Sequence, residues 1–198
     1  MILFDVAGVL LTNCWDRGER AAAIEHFHLD MAAFEARQLA PYDAWERGWT
    51  AVTDYLDATV FYEPRGFCHD EFFAFMLSQS QLQPDGALGI LRELAASKQY
   101  LLGAFNNEPR ETNEYRFQLF GLRELFQITL CSCYLGLRKP DPAIYQRALG
   151  ILGRPAERVL FIDDRQENVA GAEAAGMKAI RFEGEAALRR ELDILGVF

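Results

Sequence analysis

Apolar side chains follow two rhythms along this chain. Ile2, Leu3 and Phe4 are consecutive, and a short unbroken apolar run predicts a strand covered on both faces. The same signature recurs at 100–105 and 159–162, and the runs 126–132 and 179–182 also read as strands. Between them the apolar positions return at helical spacing, over 87–98, 109–120, 142–149, 167–175 and 185–195. Pro109 and Pro142 suit the first turn of a helix, Asp141 suits the cap before Pro142, and Gly176 suits a stop. Strands alternating with helices imply parallel pairing, with helices on both faces of one sheet.

The rhythm changes over residues 13–83. This block is rich in aromatic, Ala and acidic residues, and its patterning is helical throughout, over 19–28, 31–39, 50–61 and 70–77. Asp30 is placed to cap the second of these helices, Pro41 to end it, and Asp43 to cap another. No strand run interrupts the block. It therefore reads as a compact helical insertion in an α/β core formed by residues 1–12 and 84–198. Most of Trp15, Trp45, Trp49, Tyr62, Phe67, Phe72, Phe73 and Phe75 are expected to form its small core, with one or two near Trp15 lining a substrate face.

Composition narrows the class. A chain of 198 residues, 51% hydrophobic and 25% charged, has material for one core carrying an insertion. Its net charge of -9 argues against a nucleic-acid or anionic-membrane binder, because no basic block offsets it. Cys14, Cys68, Cys131 and Cys133 form no CxxC pair, so a zinc ribbon is not expected. Cys131 and Cys133 are expected to be packed thiols facing the same way on a strand. The amino-terminal apolar run is short, carries Asp5 and lacks a basic lead, and no run is long enough for a membrane span. A reduced, soluble, cytoplasmic protein is the expectation, monomeric or homodimeric.

The chemistry gathers at strand ends. Asp5 follows the first strand, Asn106-Asn107 the second, and Asp163-Asp164 a later one, while Lys139 sits in Leu135-Gly136-Leu137-Arg138-Lys139-Pro140-Asp141-Pro142. A parallel sheet brings such ends to one edge. Three carboxylates there cannot all ionise comfortably without a cation, and a hard dication such as Mg²⁺ answers that. Lys139 and the amides of Asn106 and Asn107 then form an anion site suited to a phosphoryl group.

These four motifs, in this order, resemble those of the haloacid dehalogenase superfamily. Asp5-Val6-Ala7-Gly8-Val9-Leu10 looks like its first motif, Asn106 occupies the second, Lys139 the third and Asp163-Asp164 the fourth. The resemblance implies a Rossmann-like parallel sheet with an inserted α-helical cap. It is nearest to the phosphatase domain of soluble epoxide hydrolase and bacterial sugar-1-phosphate phosphatases. It further implies Asp5 as nucleophile, forming an aspartyl phosphate. Mg²⁺ would be held by Asp5, the Ala7 carbonyl and Asp164 with Asp163, and phosphate by Asn106, Asn107 and Lys139. Asn168 stands where some members place a polar group near the metal.

Ala7 departs from the pattern, since most phosphatases of the family carry Asp there as general acid and base. Losing such a group typically costs about 10² to 10⁴ in rate. The expected substrate is thus a small phosphorylated metabolite with a good leaving group. Two alternatives stay open. A 2-haloacid dehalogenase needs no acid at position 7, although Asp163-Asp164 favours the metal-dependent enzyme. A catalytically weak phosphate-binding protein would also tolerate Ala7. A phosphonoacetaldehyde-cleaving enzyme is excluded, because Lys98, Lys139 and Lys178 all lie outside the helical block and none can form its Schiff base. His26 and His28 point to different faces and His69 is alone, so no histidine metal pair is expected. Arg17 is a candidate for a second substrate anion, beside the plainer reading of a solvated charge. Arg110 is a similar candidate, and Arg138 reads as structural.

Overall fold

The computed structural model describes residues 1–13 and 15–198; Cys14 lies outside them. Strand β1 (Ile2–Phe4) is followed by four helices with no strand among them: α1 (Arg17–His26), α2 (Met31–Glu46), α3 (Val52–Thr59) and α4 (His69–Ser78). Helices and strands then alternate. They are α5 (Leu88–Ser97), β2 (Leu102–Asn106), α6 (Arg110–Leu119), β3 (Ile128–Cys131), α7 (Ser132–Leu135), α8 (Pro142–Leu152), β4 (Leu160–Asp163), α9 (Gln166–Ala174), β5 (Lys178–Arg181) and α10 (Glu185–Ile194). The five strands form one parallel sheet in the order β3-β2-β1-β4-β5. No helix among the described residues is long and apolar enough to cross a membrane.

The unbroken apolar runs explain the sheet. Alternate side chains of one strand enter opposite layers. Ile2, Phe4, Leu102, Ala104, Leu160 and Ile162 pack beneath α5, α6 and α10. Leu3, Phe105 and Phe161 pack against Ile144, Tyr145 and Ala148 of α8. Because β1 is central, its register aligns the functional edge. Phe4 lies beside Ala104 on one side and Ile162 on the other, so Asp5 and Asp163 emerge together from neighbouring strands.

Helices α1–α4 enclose a separate apolar cluster. Trp45 stacks on Tyr55 with ring centroids 4.9 Å apart, and the Trp15 indole donates to the Tyr55 hydroxyl at 2.7 Å. Asp16 and Glu19 form a reciprocal capping box on α1, and Asp30 caps α2 as its position suggests. Two of the expected core aromatics are not in this core. Trp49 is 64% exposed beneath Arg47, and Tyr62 is 38% exposed beneath Arg37. A guanidinium over each ring supplies a partner that apolar neighbours do not.

Pro41 does not end its helix; α2 continues through it to Glu46. An internal proline costs about 3 kcal/mol through the lost amide and the ring clash. The following turn offsets this by carrying Trp45, fully buried, into the aromatic cluster. Asp43 consequently caps nothing and lies within α2, where it pairs with Arg47 at 2.8 Å and with Arg138 at 3.0 Å. The strand run also ends sooner than its apolar pattern suggests. Cys131 closes β3, whereas Cys133 lies in α7, and the two free buried thiols sit with sulfurs 3.3 Å apart.

Polar bonds fix the helical block to the sheet. Glu111 of α6 accepts from the Trp45 indole at 2.9 Å and the Val52 amide at 3.1 Å. Ser132 donates to the Glu46 carbonyl at 2.7 Å, and Arg138 pairs with Glu46 at 2.9 Å. Glu111→Ala strands the buried Trp45 donor, so it should lower the unfolding free energy by about 1–3 kcal/mol. Urea denaturation followed by tryptophan fluorescence measures this, and an unchanged midpoint would remove Glu111 from the junction.

Candidate active site

The sheet edge collects three carboxylates around one ammonium. Asp5, one residue beyond β1, is buried, and its Oδ1 accepts from the Val6 amide at 2.8 Å. The Lys139 Nζ lies 3.2 Å from that same oxygen and 2.6 Å from Asp163 Oδ2, and it donates to the Phe105 carbonyl at 2.8 Å. Asn168, from α9, reaches both Asp163 oxygens at 3.0 Å, and the Arg165 amide donates to Oδ1 at 2.8 Å. Asp163 is therefore fully engaged. Asp164 is not: its Oδ1 is buried and has no hydrogen-bond partner among the described residues.

Charge is out of balance here. Asp5, Asp163 and Asp164 each place an oxygen within 4.8 Å of the others, with a single ammonium among them. Burial pushes the Asp5 carboxyl well above the usual range; Lys139 opposes this, and Asp163 and Asp164 add to it. Asp164 is likewise raised, first by burial and then by Asp163. Burial disfavours the Lys139 charge, yet Asp163 and Asp5 outweigh it and the ammonium is held more firmly than usual.

The shape fits a small hard cation. Gly8 has φ of +80°, and a Cβ there would lie 2.4 Å from Asp164 Oδ2. Glycine thus keeps open the space beside that carboxylate. Uncompensated oxygens and an unpartnered Asp164 atom are the donor set that a divalent ion of the Mg²⁺ type takes. Ala7 lines the adjoining cavity of about 300 Å³. Asp5, Asn107 and Lys139 line it from the sheet edge, and Trp15, Tyr42 and Glu46 from the helical block.

The two asparagines expected to grip phosphate have other partners. Asn106 is fully buried at the end of β2, and its Nδ2 donates to Glu108 and to Asn113, each at 3.0 Å. Glu108 is drawn inward by Arg116 at 2.9 Å, and the Asn106 amide follows it rather than the cavity. Asn107 does reach the cavity wall, but its side chain is paired with the Lys139 backbone. It donates to the Lys139 carbonyl at 2.8 Å and accepts from the Lys139 amide at 2.9 Å. Its side chain therefore positions the lysine loop.

Sequence reasoning assigned Asn168 no definite role; it holds Asp163. Glu46 was missed altogether. It lies in α2, remote from every strand end, and only tertiary packing brings it to the cavity. Asp141 caps α8 through the Ala143 amide, and Arg138 is structural, both as expected. Arg110 lies over the Tyr134 ring. His69 pairs with Asp57 and stacks on Phe61, and His26 stacks on Phe75.

A model of haloacid dehalogenase-like hydrolases matches residues 1–176. The chain belongs to the haloacid dehalogenase-like hydrolase family. Among curated relatives, the chloroplastic flavin mononucleotide hydrolase 1 of Arabidopsis thaliana is 38% identical over 113 residues, 57% of this chain and 45% of that protein. A phosphoglycolate phosphatase of Cereibacter sphaeroides is 35% identical over 97 residues, 49% of this chain and 43% of that protein. The chain thus spans less than half the length of either relative. A solved haloacid dehalogenase-family enzyme of Bacteroides thetaiotaomicron superposes with a TM-score of 0.75 at 19% identity, covering 92% of this chain and 93% of that one. An L-2-haloacid dehalogenase superposes at 0.62 with 21% identity, covering 91% and 83%. Both likenesses concern the fold.

Lys139→Met removes the only ammonium from the carboxylate group, and the buried charge left behind should cost about 3–5 kcal/mol of stability. The remaining raised carboxyls bind protons more tightly folded than unfolded, so the variant should recover stability as pH falls from neutrality toward the usual carboxylate range. Urea midpoints at several pH values test this; a pH-independent deficit would contradict it.

Proposed function

We propose that this hydrolase is a Mg²⁺-dependent phosphatase that cleaves a small phosphate monoester through an aspartyl-phosphate intermediate on Asp5. The observation that carries the proposal is the excess of buried carboxylate over ammonium at the sheet edge. Asp5, the Ala7 carbonyl and Asp164 would hold the ion, and Asp163 would act by orienting Lys139. When bound, Mg²⁺ supplies charge neutralisation for the phosphoryl oxygens. The B. thetaiotaomicron enzyme has been solved in complex with magnesium and inorganic phosphate, which supports this assignment.

The chain's own groups divide the work. The Asp5 carboxylate attacks phosphorus, and the ester oxygen leaves with the bonding electrons. Water then cleaves the acyl phosphate and restores Asp5. Lys139, beside the attacking carboxylate, favours its ionised form and sets a positive charge next to the incoming phosphoryl oxygens. Residues 13–83 act as a cap over this edge, excluding water while the ester reacts. Ala7 brings no proton, so the enzyme favours esters whose oxygen leaves unaided. The curated flavin mononucleotide hydrolase and phosphoglycolate phosphatase support phosphate esters as the substrate class.

Hydrolysis of para-nitrophenyl phosphate should require Mg²⁺, stop on addition of EDTA and be abolished in Asp5→Asn. Halide release from 2-chloropropionate that ignores EDTA would instead establish a dehalogenase. Ala7→Asp should raise turnover of simple alkyl phosphates by about 10² to 10⁴ while changing the nitrophenyl ester far less. Equal gains on both would show that proton supply is not what Ala7 withholds.

A further inference from the structure

We propose that the substrate carries a second anionic group, a carboxylate or another phosphoryl, which Arg17 and Arg165 bind inside the same cavity as Asp5 and Lys139. This rests on the phosphatase reading and names the class of ester within it.

The cavity is rich in cations for so acidic a chain, whose net charge is -9. Most of those cations are already spent. Arg20 pairs with Glu35 at 3.2 Å and donates to the Trp15 carbonyl, Arg138 pairs with Asp43 and Glu46, and Lys139 with Asp5 and Asp163. Arg17 and Arg165 remain. Both are exposed residues at the cavity wall, and no hydrogen bond or ion pair of either side chain occurs among the described residues.

Their positions run against local preference. Arg17 is the first residue of α1, and Arg165 is the N-cap of α9 with no side-chain capping bond. A cation at the positive end of a helix dipole is unfavourable, and N-caps favour Ser, Thr, Asp and Asn. An anion held between two guanidiniums reverses that penalty, and their planar forks match carboxylate and phosphate oxygens. One arginine belongs to the helical block and the other to the sheet core. An ester with a second anionic group therefore spans both, its reacting phosphate beside Asp5 and its other anion at the arginines.

Matched ligands test this directly. Steady-state kinetics with Mg²⁺ would compare 3-phosphonooxypropanoate and propane-1,3-diol bisphosphate with propyl phosphate. Calorimetry on the wild-type protein would compare the non-hydrolysable 4-phosphonobutanoate with butylphosphonate. The member of each pair with the second anionic group should be preferred by about tenfold or more in kcat/KM and in Kd, the scale of a charge-assisted contact. In Arg17→Gln and Arg165→Gln that ratio should shrink severalfold, and in the double variant it should approach one. No preference in the wild type, or a preference that survives in the double variant, overturns the proposal. Selective phosphonate binding without turnover of any ester would sink the phosphatase reading yet uphold the anion subsite.

Discussion

The Lys139 ammonium and the carboxylates around it are the constraint on which the functional end of this protein depends. A buried ion loses several kcal/mol of hydration, so each must be repaid by neighbours. Lys139 is 2% exposed and Asp163 fully buried, and their contacts at 2.6 Å and with the Phe105 carbonyl supply that repayment. Asn168 and the Arg165 amide complete the Asp163 shell. What they do not balance is Asp5 together with Asp164. The sheet creates this surplus through its register, since parallel neighbours release their carboxyl-terminal residues at one level.

A second buried polar network lies nearby and shows the contrast. Arg116 and Glu108 are both essentially inaccessible, and they pair at 2.9 Å. Asn106 and Asn113 extend the network, and Arg116 also donates to the Thr12 carbonyl at 2.5 Å, on the segment leading into the helical block. The Glu108 amide donates to Ser132, whose hydroxyl donates to the Glu46 carbonyl at the end of α2. Here charges match, and the result is a structural junction. Balance distinguishes the two networks: the neutral one anchors the helical block, while the surplus of the other is available to a ligand.

The same distinction explains what the amino-acid sequence reveals. Strands β1, β2 and β4 are legible because burial on both faces demands continuous apolar residues. Asp5, Asp163 and Asp164 are legible because strand ends in a parallel sheet are where ligands bind by geometry, whereas Lys139, in the loop between α7 and α8, is legible only through its motif. Asn106 is equally well placed by that rule, and its backbone does end β2. Its side-chain direction is set by Glu108, which in turn answers to Arg116 on α6, and no local pattern encodes that chain of contacts. Pro41 fails for a related reason. Its local cost is readable, but the stacking of Trp45 on Tyr55 that overrides it is a tertiary gain. Trp49 and Tyr62 resemble core residues in composition, and only the guanidiniums above them explain their exposure.

Ala7 and the two arginines at the cavity wall bear on one another. In the proposed reaction, with no proton donor at position 7, negative charge would build on the departing ester oxygen and be borne by the leaving group. A substrate with a remote anion offers another source of stabilisation. Contacts far from phosphorus raise the turnover rate only where they strengthen on the way to the transition state, by orienting the ester for attack. Arg17 on α1 and Arg165 at the head of α9 belong to different parts of the molecule, so an anion that both grip draws those parts together over Asp5. On the proposed reading, substrate charge and active-site closure would become one event, and binding energy would compensate for part of the chemistry that a methyl group at position 7 cannot perform.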